Sequence, residues 1–140
     1  MIKNVIIKIN GTQEIDGSVE NIELTTEGRF GINDGKYFLS YEEGMFNDDR
    51  HVKTQIFINS PDSFVVQRRG SVNSRMKMEK GKKNSCLYSM AEGSLLVGVY
   101  TEKVDMHISE TGGILNAVYT IDSGMRILSR NTIKITIKEV

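Results

Sequence analysis

The chain is short of the residues that lock or interrupt a fold: it holds one cysteine, one proline and no tryptophan. A lone cysteine, Cys86, has no partner for an internal disulfide, which points to reduced surroundings and a cytoplasmic setting. Long apolar runs are missing too. No segment approaches the roughly 18 uninterrupted apolar residues of a membrane span, and lysines break the N-terminal stretch where a secretory leader would be continuous. Charge of one sign is not in excess either. A formal net charge of zero argues against bulk nucleic acid or an anionic membrane as partner. Neither a Gly-x-Ser-x-Gly turn nor a phosphate-cradling glycine loop occurs, so neither an enzyme nor a cofactor is expected.

What is present is alternation. Thr132-Ile133-Lys134-Ile135-Thr136-Ile137-Lys138 places every isoleucine on one side of a strand and every polar residue on the other. The same texture runs from end to end. Runs of strand character cover 2–9, 19–32, 36–43, 51–59, 64–69, 72–79, 82–90, 94–101, 105–109, 114–122 and 127–139, with no convincing helix. Asn10-Gly11, Asp16-Gly17, Asn33-Asp34-Gly35, Ser60-Pro61-Asp62 and Ala91-Glu92-Gly93 read as breaks, and 44–50 as a solvated loop. Connections this short make successive strands antiparallel neighbours, because a parallel crossover needs a dozen or more residues. The expected architecture is all-β: a single domain over residues 1–140, an antiparallel up-and-down meander that closes as a barrel and so removes both exposed edges. A two-sheet sandwich satisfies the same periodicity.

Parity assigns an inward face. On it fall Ile22, Leu24 and Phe30; Leu39 and Tyr41; Thr54, Ile56 and Ile58; Met76 and Met78; Cys86, Tyr88 and Met90; Leu95, Val97, Val99 and Thr101; Leu115, Ala117, Tyr119 and Ile121. Arg68 is the odd member, since sending Gln67 outward turns Phe64, Val66 and Arg68 inward. An unpaired guanidinium in an interior costs several kcal/mol. Either Arg68 caps carbonyls or pairs with an internal carboxylate near a barrel end, or it fixes the acidic head of an otherwise apolar ligand. The ligand-binding candidates are therefore Tyr41, Thr54, Arg68, Tyr88, Thr101 and Tyr119.

Other groups promise less. Asp48, Asp49 and His51 cluster without a fourth ligand or a metal-binding spacing, His107 reads as a surface residue, and inward parity makes Cys86 an inert core thiol. Zero net charge hides an asymmetry: ten acidic and two basic side chains from Glu14 to Asp49, against seven basic and one acidic from Arg68 to Lys83. Arg75, Lys77, Lys80, Lys82 and Lys83 form an outward basic strip, a second candidate surface for an RNA or protein partner, though the exposed aromatics of a single-strand binder are missing. The acidic region and this strip are also complementary enough for a homodimer.

Leu39-Ser40-Tyr41-x-Glu43, Val52-Lys53-Thr54, Arg68-x-Gly70 followed by Val72, and Met78-x-x-Gly81 recur in order with Tyr88, Gly93, Leu95, Thr101, Gly112, Tyr119 and Asn131. In these residues, across nearly the whole chain, the sequence resembles the bacterial YwiB-like family of uncharacterised function. The resemblance implies a lipocalin-like (calycin) β-barrel, a cytoplasmic setting and no established activity. Secreted lipocalins differ, because their Gly-x-Trp signature, disulfide and signal peptide have no counterpart in this sequence.

Overall fold

A computed structural model describes residues 2–44 and 51–140. They form ten strands: β1 (Ile2–Ile15), β2 (Ser18–Asn33), β3 (Lys36–Gly44), β4 (His51–Ser60), β5 (Ser63–Gly70), β6 (Val72–Glu79), β7 (Lys83–Met90), β8 (Gly93–Ser109), β9 (Gly112–Asp122) and β10 (Ile127–Glu139). Each strand pairs antiparallel with the next, and β1 returns to β10, so the sheet closes on itself as an up-and-down barrel. The described residues contain no helix.

The turns follow from backbone preference. At Asp16-Gly17 and at Asp34-Gly35 both residues have positive φ, 49° and 81° in the first and 52° and 75° in the second. Two consecutive positive φ values define the hairpin turn whose twist matches the flanking strands, and Asp followed by Gly is among its favoured sequences. Ile15 pairs with Ser18 and Asn33 with Lys36 across these turns.

The strand boundaries differ from the sequence reading in two places. Asn10-Gly11 is not a break: β1 runs on to Ile15 because β2 and β10 supply partners on both sides, Glu23 and Lys134 for Asn10 and Ile22 and Ile133 for Gly11. Nor is 105–109 a separate strand. It continues β8 past a bulge, since the register with β9 shifts between Thr101 and Lys103. The extra residue switches the inward set from Val97, Val99 and Thr101 to Val104, Met106 and Ile108, and that change of parity makes one strand look like two. The loop read over 44–50 lies outside the described residues apart from Gly44, which ends β3.

Inward side chains make one continuous apolar cluster, including Val5, Ile7, Phe30, Leu39, Ile56, Phe64, Met78, Leu115, Ile135 and Ile137. Most of these lie toward the end that carries the Asp34-Gly35 turn, where Phe30 stacks on Tyr37 with ring centroids 5.4 Å apart. Val65 is also buried although its parity points outward; its cross-strand neighbours are Phe57 and the Lys77 stem, whose methylenes cover apolar surface. Ile22, Met90 and Leu95, expected inside, keep their parity but are not buried. Met90 and Leu95 are exposed, because they sit at the ends of β7 and β8 where no opposite wall covers them.

The wall is looser between β6 and β7, whose ladder comprises Val72–Met90 and Asn73–Ser89. Beyond it the Asn84 amide donates to the Lys77 carbonyl at 3.2 Å, and the turn is held to β8 by Gly81 N donating to Thr101 O at 2.8 Å. The described segment has no helix long and apolar enough to cross a membrane.

Gly28 sits where β1 and β3 pack closely on β2. A Cβ there would lie 2.2 Å from Ile7 Cδ1 and 2.6 Å from the Ser40 carbonyl oxygen. Gly28→Ala is expected to lower unfolding stability by about 1–3 kcal/mol through overpacking, read as a lower urea midpoint.

Candidate functional site

The other end of the barrel, ringed by the turns at Asp16-Gly17, Ser71 and Ala91-Glu92, opens into a cavity of about 600 Å³. Its wall is largely aliphatic, with Ile15, Ile22, Val52, Val72, Met76, Leu95, Val97, Ile121 and Leu128. Set into that wall are Glu43, Arg68, Tyr88, Tyr119, Ser129 and Asn131. An adjoining cavity of about 350 Å³ shares Ile22, Glu43, Arg68, Tyr119 and Asn131 and reaches down to Ile9, Leu24 and Tyr41.

Register explains how Arg68 comes to face inward. On β5 it alternates with Val66 and Phe64, both buried, while Arg69 on the opposite parity is exposed beside the Gln67 amide. Tyr41 pairs with Thr54, Thr54 with Arg68 and Arg68 with Ser74, so β3, β4, β5 and β6 contribute one row of inward polar side chains. Thr54 and Ser74 flank the arginine, are buried, and their hydroxyls have no hydrogen-bond partner among the described residues. Arg68 has no described carboxylate within 4.0 Å. Across the cavity a second polar arc is satisfied within itself, with Asn131 Nδ2 donating to Ser129 Oγ at 3.0 Å.

Electrostatics in this end centre on Arg68. Burial, and then the nearby Glu43 carboxylate, push the Tyr41 phenol well above its ordinary range, while Arg68 pulls the other way. Burial raises Tyr119 as well, opposed by Arg68 and reinforced by Tyr88. The Cys86 thiol is raised by burial, so it stays protonated and unreactive.

The six residues singled out from the sequence thus divide. Arg68, Tyr88 and Tyr119 line the larger cavity, and Tyr41 lines the smaller one with Arg68 and Tyr119. Thr54 is sealed in the wall beside Arg68. Thr101 is fully buried and donates its hydroxyl hydrogen to Met78 Sδ at 3.5 Å, a packing contact away from both cavities. Sequence reasoning passed over Glu43, Ser74, Ser129 and Asn131 as site residues. Extending the parity of Tyr41 by two residues reaches Glu43, and extending the Ile133–Ile137 face back by two and four reaches Asn131 and Ser129.

The remaining candidates sit outside. His107 is exposed beside Asp105, and His51 is exposed at the start of β4; Asp48 and Asp49 lie outside the described residues. On the basic strip Lys77 and Lys82 lie 3.5 and 3.8 Å from Glu79, and Lys83 lies 2.8 Å from Asp122.

Fold and cavity together define a closed, ten-stranded antiparallel β-barrel with a mixed-charge chamber at one end. The chain belongs to the family described as a domain of unknown function, DUF1934, whose model matches residues 7–135. It is 27% identical over 120 residues to the uncharacterized beta-barrel protein YwiB of Bacillus subtilis (strain 168), covering 86% of this chain and 82% of that one. The crystal structure of ywiB protein from Bacillus subtilis superposes with a TM-score of 0.88 at 24% identity, covering 99% of this chain and 93% of that one. That likeness concerns the fold.

Two outcomes follow from the row of polar groups. Thr54→Val removes a buried hydroxyl that lacks a partner while keeping its volume, so stability in urea should be unchanged or rise by up to about 1 kcal/mol. For Tyr41, unfolding returns the phenol to its ordinary value of 10.0. The unfolded chain therefore loses this proton before the native one does. Stability should be fully retained below pH 10 and fall as pH climbs above it. Tyr41→Phe should flatten that fall, measured as urea midpoints in buffers on either side of pH 10.

Proposed function

We propose that the barrel binds a small molecule with an acidic head and an apolar body, held head-inward at Arg68. One observation carries this reading: a guanidinium lines an aliphatic chamber without a carboxylate partner among the described residues. An inward arginine is costly unless its donors are met, and a ligand carboxylate meets them in pairs. Tyr88 and Tyr119 add hydroxyls near the head, and the rim residues Ile15, Ile22 and Leu95, each about half exposed, offer an apolar path for the body toward the mouth. A chamber of about 600 Å³ falls in the range of small-molecule sites. In this reading the protein is a lipocalin-like (calycin) carrier or sensor and not an enzyme, working in the cytoplasm, where a solitary buried thiol such as Cys86 stays reduced.

The second reading, an interaction module using Arg75, Lys77, Lys80, Lys82 and Lys83 toward RNA, a protein or a second copy, ranks behind it. Three of those five charges already lie against Glu79 or Asp122, which reduces what a phosphate backbone would gain.

The test is calorimetric titration of the full chain with decanoate, beside native mass spectrometry of the purified protein for a bound acid. Arg68→Ala should weaken decanoate binding by about tenfold to a hundredfold, the worth of a charge-assisted hydrogen bond, with Arg68→Lys in between. Binding that ignores the Arg68 substitutions, or an interior that takes up no acid at all, would refute the reading.

A further inference from the structure

Glu43 gives the chamber a second charge of opposite sign. It shares the parity of Leu39 and Tyr41 on β3 and pairs with Val52, which in turn pairs with Gly70. The Glu43–Val52–Gly70 row lies one inward step nearer the mouth than the Tyr41–Thr54–Arg68 row. Glu43 and Arg68 both line both cavities, yet no carboxylate oxygen of Glu43 comes within 4.0 Å of the guanidinium. An acid and a base share one largely aliphatic chamber and remain apart.

This separation constrains what binds. A plain carboxylate docked on Arg68 would also meet the Glu43 carboxylate across a medium that screens weakly, a like-charge penalty of roughly ten- to thirtyfold in affinity at an effective dielectric near 20. A head that carries a cationic or hydroxyl donor next to its carboxylate reverses that sign, satisfying Glu43 and Arg68 together. We infer that the ligand head is bipolar: a carboxylate for Arg68 with an adjacent amine or hydroxyl donor for Glu43, as in an α-amino or hydroxy acid bearing an apolar tail.

The inference rests on the acid-binding role of Arg68, and the experiment separates the two. Decanoate, α-aminodecanoate and decylammonium are titrated into the full-length protein and into its Glu43→Gln and Arg68→Gln variants, with circular dichroism confirming the barrel in each. In the wild type, α-aminodecanoate should bind at least about tenfold more tightly than decanoate. Glu43→Gln should erase that margin while leaving or improving decanoate binding, and Arg68→Gln should weaken both acids. Decanoate binding as tightly as α-aminodecanoate, or a margin that survives Glu43→Gln, overturns the bipolar head and leaves the Arg68 reading standing. Acids that ignore Arg68→Gln, tightest binding by decylammonium, or no binding by any of the three probes overturns both.

Discussion

The ladder between β1 and β10, running from Val5–Glu139 to Glu14–Arg130, is the constraint on which the molecule depends. Every other ladder joins strands adjacent in sequence. This one joins the two ends of the chain, so its loop-closure entropy is the largest in the fold. It satisfies two rows of backbone groups that would otherwise be open edges, and it encloses the inward faces of all ten strands. Outward contacts fasten the closing strands: Thr12 and Thr132 hydroxyls meet at 2.7 Å, and Lys3 pairs with Glu139. Val5, Ile7, Ile9, Ile135 and Ile137 become core because this seam exists.

Closure makes the two ends of the barrel chemically different. At one end, Phe30, Phe64 and long aliphatic side chains fill the interior. At the other, the strands place shorter or polar groups inward, and the space they leave is the chamber. Two buried hydroxyls without partners and a guanidinium in an aliphatic wall are features that packing alone would select against. Their concentration in one row across β3–β6 separates this end from the remainder of the interior, where polar groups such as Thr101 find a partner.

Much of this was legible in the sequence, and the failures have physical causes. The alternation in β10 marked its inner face, the Asp-Gly turns marked their hairpins, and the Gln67-Arg68-Arg69 parity turned the correct arginine inward. Asn10-Gly11 misled because glycine marks turns in isolation, yet between two full neighbours it keeps its ladder. The β8 bulge hid one strand as two because a single extra residue reverses parity. Met90 and Leu95 kept the right parity but lost their burial at the strand ends. Thr54 and Thr101 share parity with Arg68 or with aliphatics, but facing inward does not mean facing the chamber.

The sequence by itself determined most of the strands, their antiparallel order and, away from the β8 bulge, which side of each faces in, because turn chemistry and a period of two are local properties. Tertiary structure alone decided closure by β1 and β10, which end of the interior stays open, and that Glu43 and Arg68 face one space without touching. Those depend on register summed around ten strands and on side-chain volumes meeting from opposite walls, quantities to which no single segment of the chain has access.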